Sequence, residues 1–201
     1  MMESVTNYLS FFGSVDFRII SAMKDVDRGF FINNEFPYED VNCDIEYGEM
    51  SMSPSIIARM LSLMNLNVGN SVLNVGSGSG WPATVMSLLV SPGHVLALES
   101  NPELLKRSIE RSLDMGVYEN LKFDGSDFYD LNKKFDKIIF TCGILKDEEQ
   151  EILNWVSSHL KEGGISIVPF QDGPLIIFKK NKGDIRMEYS DEEYCFTPLL
   201  N

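Results

Sequence analysis

The chain has 201 residues, 44% of them hydrophobic, with 17 basic and 30 acidic side chains and a net charge of −13. That length and apolar fraction specify a globular chain with one sizeable core, read as a single domain over residues 1–201. The acidic balance argues against a nucleic-acid backbone or an anionic membrane as partner, since both need clustered cations.

There is no secretory leader and no run of 18 apolar residues, so a cytoplasmic, monomeric protein is expected. Cys43, Cys142 and Cys195 lie far apart without a Cys-x-x-Cys pair. Neither a disulfide framework nor a metal site is indicated. His94 sits in a turn after Pro92-Gly93, and His159 falls in the last turn of a predicted helix, where partial positive charge suits the dipole. Both read as structural.

In chain order, residues 1–24 carry apolar faces at helical spacing, with Gly13-Ser14 separating two helices. A long loop, Asn33 to Glu46, follows. Loops of that length are functional or packed by their own side chains, and Phe30, Phe31, Phe36 and Tyr38 are the candidates for that packing. Ser53-Pro54 reads as N-cap and first residue of a helix running to about Leu66.

Val72-Leu73-Asn74-Val75 is a buried strand that ends in Gly76-Ser77-Gly78-Ser79-Gly80, and a helix follows over Ala83 to Val90. Strand, glycine turn and helix form the layout of a nucleotide-type cofactor site. Glycine takes positive φ and has no Cβ to hold a ligand off the backbone. The next apolar run, from His94, closes on Glu99, where a carboxylate is placed to accept ribose hydroxyls. NAD and S-adenosylmethionine both fit that acid. The Gly-x-Gly-x-Gly spacing favours S-adenosylmethionine, which has no pyrophosphate. A glycine turn without a ligand is the plainer alternative.

A helix from Pro102 to Met115 ends at Gly116, and Leu121 to Phe123 is a third strand. Asp124 then either receives an adenine amino group or serves as a turn residue. Phe135 to Thr141 is a central strand, Asp147 to Leu160 a helix stopped at Gly163-Gly164, and Ile165 to Val168 a fifth strand. Leu175 to Phe178, Ile185 to Glu188 and Tyr194 to Thr197 complete an antiparallel end. Strands alternating with helices predict an α/β, doubly wound sheet, with the cofactor at the strand carboxyl ends.

These residues resemble the protein L-isoaspartyl O-methyltransferases. The resemblance is carried by Val26-Asp27-Arg28 with Phe30-Phe31, by Tyr38-Glu39-Asp40-Val41, Tyr47-Gly48 and Pro54 with Ala58-Arg59-Met60, and by Val72 to Gly80. It continues through Asp124-Gly125, Phe135 to Ile139, Leu160 to Gly164, Val168-Pro169 and Phe196-Thr197-Pro198-Leu199. It implies the class I methyltransferase fold: a Rossmann-like, mostly parallel seven-stranded sheet with N-terminal helices. Residues 1–66 would then serve the acceptor side and 71–201 the cofactor core. It also implies S-adenosyl-L-methionine as cofactor, and a peptide or protein substrate methylated on an isoaspartyl carboxylate in protein repair. On that reading Gly76, Ser77, Gly78 and Gly80 border the cofactor, Glu99 holds the ribose, and Asp124 with Gly125 lies by the adenine. Gly48, Met50 and Met52 fall at substrate-binding positions.

One position departs from the family pattern Gly-x-x-x-Ser-x-Pro. From Gly48 to Pro54 the length is kept, but Met52 stands where the family has serine. A thioether donates no hydrogen bond. Ser51 and Ser53 flank it and are the catalytic candidates. In an extended segment neighbouring side chains point to opposite faces, and Ser53 is expected to be committed as the helix cap. Losing a hydrogen bond to a charged group costs roughly 1.5–3 kcal/mol, about ten- to a hundred-fold in rate. Met52 thus motivates two alternatives: a methyltransferase of this fold with another acceptor, and a catalytically weak cofactor-binding homologue. Asn74, where many such loops carry Asp, is expected to make a structural hydrogen bond.

Overall fold

The computed structural model describes residues 1–116 and 119–199. The two N-terminal helices form on either side of Gly13-Ser14, as α1 (Met2–Ser10) and α2 (Phe17–Asp25). Asp16 caps α2 by accepting the Arg18 N–H. A short hairpin of β1 (Cys43–Asp44) and β2 (Met50–Ser51) leads into α3 (Pro54–Met64). Alternation then begins: β3 (Ser71–Val75), α4 (Trp81–Val90), β4 (His94–Leu98), α5 (Pro102–Asp114), β5 (Leu121–Asp124), β6 (Phe135–Phe140) and α6 (Glu149–His159). Three long strands follow: β7 (Leu160–Pro169), β8 (Asp172–Asn181) and β9 (Asp184–Cys195).

The main sheet has the order β5-β4-β3-β6-β7-β8-β9. The first five strands are parallel to their neighbours, while β8 and β9 join antiparallel. The chain therefore winds outward from β3 through β4 to β5, then returns to place β6 on the other side of β3. That reversal opens a crevice at the carboxyl ends of β3 and β6. Strand alternation splits the core into two layers. Val72, Val95, Ile139 and Ile167 face the layer that holds α1 to α4. Leu73, Ile138, Phe140 and Val168 face α6.

Three local expectations are corrected. Helix α6 stops at His159 and β7 starts at once, so Gly163 and Gly164 lie within a strand rather than in a loop after the helix. The segment expected at 185–188 and the first half of the one expected at 194–197 belong to one continuous edge strand, β9, which ends at Cys195. Its charged outer positions break the apolar pattern, as suits an unpaired edge. The loop before β1 is not packed by aromatics. Phe31 is buried, but Phe30, Phe36 and Tyr38 are about half exposed.

Arg28 organises that loop instead. It is fully buried, with one guanidinium nitrogen donating to the carbonyls of Pro37 (2.7 Å) and Glu39 (3.1 Å) and the other to those of Val41 and Met52 (both 3.3 Å). The group lies 5.6 Å from the Trp81 ring centroid. Burial pulls the Arg28 pKa down, so these carbonyl dipoles compensate a charge taken out of water.

Candidate active site

Strand β3 is buried along its whole length and delivers the chain to the glycine turn. Gly76 has φ +72°, and a Cβ there would stand 2.6 Å from the Cys142 sulfur, so neither the conformation nor the space admits a side chain. The turn is laced to its neighbours on both sides. Ser77 N–H donates to the Leu98 carbonyl (2.9 Å), and Thr141 N–H donates to that of Val75 (2.9 Å). The Thr141 hydroxyl donates to the Gly76 carbonyl (2.6 Å) and accepts from Asn74 Nδ2 (2.8 Å). Asn74 thus ties β3 to β6 at the point where the sheet reverses.

Glu99, at the end of β4, is only 7% exposed. Its Oε2 accepts the Gly78 N–H (2.7 Å) and its Oε1 the Asn101 N–H (2.9 Å). Burial raises its pKa, the Asn101 and Gly78 donors pull it back, and the charge of Glu49 adds to the rise. The carboxylate is therefore fixed against the glycine turn and holds lone pairs open for further donors.

The crevice between these parts encloses about 900 Å³, counting its open mouth. Gly76, Gly78, Glu99 and Gly125 line it, with Glu49 and Met50 on one wall and Thr197, Pro198 and Leu199 on another. The last wall is held by Gly143, whose N–H donates to the Thr197 carbonyl (2.7 Å) and whose own carbonyl accepts from Leu199 (2.8 Å). A smaller cleft adjoins. Met50, Ser51 and Met52 face Gly76 to Ser79 and Thr141 across it. The Ser77 hydroxyl is buried there with no partner.

Several expected site residues lie elsewhere. Asp124 is absent from the crevice lining and is occupied as a turn residue. It accepts from Lys122 Nζ (2.5 Å) and from the Ser126 hydroxyl (2.5 Å) and N–H (3.0 Å), which hold its pKa at about 2. Ser126 and Asp127 reach the crevice in its place. Gly80 lines neither cleft: its φ is +84° and a Cβ there would meet the Ser108 Cβ at 2.9 Å, so both the turn and the close approach of α5 call for glycine. Gly48 is exposed in a turn outside both clefts. That turn is anchored to α5 by the Glu46–Arg111 ion pair (2.9 Å). Ser53 lines neither cleft, and its hydroxyl makes no capping bond. Asp40 caps α3 from the preceding loop, accepting both the N–H (2.8 Å) and the hydroxyl of Ser55. Ser51 and Met52 both border the small cleft, and Met52 also belongs to the hydrophobic core.

Cys142 borders the crevice, but burial and the nearby Glu99 and Glu49 charges push its thiol well above the ordinary range. That environment disfavours the thiolate. His159 stacks on Trp155 and bridges to the carbonyls of Trp155 and Leu131 (both 2.8 Å), a structural post. Among the described residues, no helix is long and apolar enough to cross a membrane.

Comparison with known proteins agrees with this fold. The model of the protein-L-isoaspartate(D-aspartate) O-methyltransferase family matches residues 3–201. A protein-L-isoaspartate O-methyltransferase of Methanothrix thermoacetophila is 33% identical over all of this chain and 93% of its own. One of Ignicoccus hospitalis is 36% identical over 78% of this chain and 74% of its own. Among solved structures, a protein-L-isoaspartate O-methyltransferase superposes with TM-score 0.82 at 27% identity, covering 100% of this chain and 66% of that one. A Plasmodium falciparum structure in complex with S-adenosyl-L-homocysteine superposes with TM-score 0.81 at 24% identity, covering 98% and 97%.

Proposed function

Because the chain belongs to the protein-L-isoaspartate(D-aspartate) O-methyltransferase family, we propose that it transfers a methyl group from S-adenosylmethionine to isoaspartyl carboxylates of peptides or damaged proteins. The observation that carries the reading is the crevice at the sheet reversal, where bare glycine backbone and a buried carboxylate face one another. On this reading residues 1–201 act as one methyltransferase domain. Gly76, Ser77, Gly78 and Gly125 pack against the cofactor, Glu99 receives its ribose hydroxyls, and the 50–52 segment meets the acceptor. S-adenosylmethionine supplies an electrophilic methyl group when bound.

The protein's own share is positioning. An acceptor carboxylate has a pKa of about 4 and is ionised at neutral pH, so no general base is required. The 50–52 segment and the Thr197–Leu199 segment border the clefts, and on this reading their task is to hold the acceptor in line and keep water from it. The test is transfer of a labelled methyl group to an isoaspartyl peptide, with the ordinary aspartyl peptide as control. Base-labile ester on the first alone supports the proposal, and equal labelling of both, or of neither, contradicts it.

Met52 sets the expected rate. Its side chain is buried on the acceptor side and offers no donor. Met52→Ser is expected to raise kcat/KM for the isoaspartyl peptide about ten- to a hundred-fold. Calorimetric affinity for the cofactor should stay the same. A variant without gain in steady-state kinetics would show that the acceptor wall has been rebuilt for another group.

A further inference from the structure

We propose that Glu49 strengthens the preference of the crevice for the sulfonium donor over its demethylated thioether product. This rests on the reading of the crevice as the S-adenosylmethionine site. Donor and product share the adenosine and the amino-acid group, so the hydrogen bonds made at Gly76, Gly78 and Glu99 cancel in the ratio of their affinities, whereas the charge of any ionised carboxylate does not. They differ by one methyl group and one positive charge. What separates them electrostatically is negative charge facing the crevice, to which each ionised carboxylate adds, and Glu49 is the one whose side chain is not fixed by other donors.

Three acidic residues line it: Glu49, Glu99 and Asp127. Glu99 accepts the Gly78 and Asn101 N–H groups. Asp127 accepts the Tyr129 N–H. Glu46, nearby in the chain, is paired with Arg111. Among the described residues the Glu49 side chain makes no hydrogen bond and no ion pair. Its backbone is pinned, with its carbonyl accepting the Ile45 N–H (2.8 Å). Its charge is close enough to disfavour ionisation of both Glu99 and Cys142, which places it in electrostatic reach of the crevice floor. One unpaired charge acting across such a crevice changes the affinity of a cation by about five- to ten-fold and that of a neutral ligand little.

The test is calorimetric titration of S-adenosylmethionine and S-adenosylhomocysteine into the unsubstituted protein, Glu49→Gln, Glu49→Asp and Asp191→Asn. The last removes one charge from the exposed edge strand β9. Glu49→Gln is expected to weaken donor binding about five- to ten-fold and leave product binding unchanged, which also shows that the variant is folded. Glu49→Asp and Asp191→Asn should keep the parent ratio. Equal weakening of both ligands, no weakening, or the same shift in Asp191→Asn overturns the assignment to Glu49. Should Glu49→Gln prove unfolded by circular dichroism, Glu49→Lys replaces it, with a larger loss of donor affinity expected and an unchanged ratio overturning the proposal. An unsubstituted protein that binds neither ligand overturns the crevice reading and this inference with it. Binding of both with an unaltered ratio in the variants overturns this inference alone.

Discussion

Arg28→Ala is expected to lower the free energy of unfolding by about 3–5 kcal/mol, enough to cut the thermal midpoint by about 10 °C. The guanidinium is the shared partner of four backbone carbonyls, those of Pro37, Glu39, Val41 and Met52, and it also lies by the Trp81 ring. Removing it leaves those carbonyls to find water and opens a void under the loop, and each unsatisfied buried group costs about 1–3 kcal/mol. The loop leads into the Met50–Met52 wall, so the damage should fall on the acceptor side. Isoaspartyl-peptide KM should rise far more than the cofactor Kd. Arg28→Lys should recover less than half of the lost stability, because one ammonium cannot span the positions of a two-pronged fork. Denaturant unfolding alongside steady-state kinetics checks this. Near-parental stability in Arg28→Ala would show that the loop is held by something else.

Glu99→Ala is expected to weaken S-adenosylmethionine binding by about two to three orders of magnitude. Each hydrogen bond from a ribose hydroxyl to a carboxylate contributes about 1.5–3 kcal/mol, and the group also holds the Gly78 and Asn101 N–H donors that shape the turn. The pH dependence follows from its raised pKa. The ionised form is the one that accepts both hydroxyls, so donor affinity should be greatest at neutral pH. It should fall with acidification through a midpoint above the ordinary 4.5, because burial has lifted that pKa. Glu99→Ala should lose this inflection along with the affinity. Calorimetry from neutral to mildly acid pH reads both effects. An inflection that survives in Glu99→Ala would assign it to another group.

The cofactor half was legible because its chemistry is local. A buried strand running into Gly76-Ser77-Gly78 has few uses other than backbone approach, and an acid ending the next strand is placed by the sheet itself. The parallel register then brings Glu99 to Gly78 without any further information. What could not be read was set by partners distant in sequence. Asp124 stands at the correct strand end, but Lys122 and Ser126 occupy its carboxylate. Gly80 shares the spacing and the positive φ of its neighbours, while its second constraint is Ser108 on α5, 28 positions on. Ser53 occupies the cap position, but the cap is supplied by Asp40. Arg28 belonged to a matching motif, and only the folded loop shows four carbonyls converging on it. The Thr197–Leu199 wall reaches the crevice through Gly143, a contact no periodicity announces.

A crystal structure with S-adenosylhomocysteine bound tests the central claim most directly. It should show the ribose hydroxyls within hydrogen-bond distance of the Glu99 carboxylate and the amino-acid end against the backbone of Gly76 to Gly78. A nucleoside seated elsewhere, or in this crevice with Glu99 making no contact to the ribose, would contradict the account.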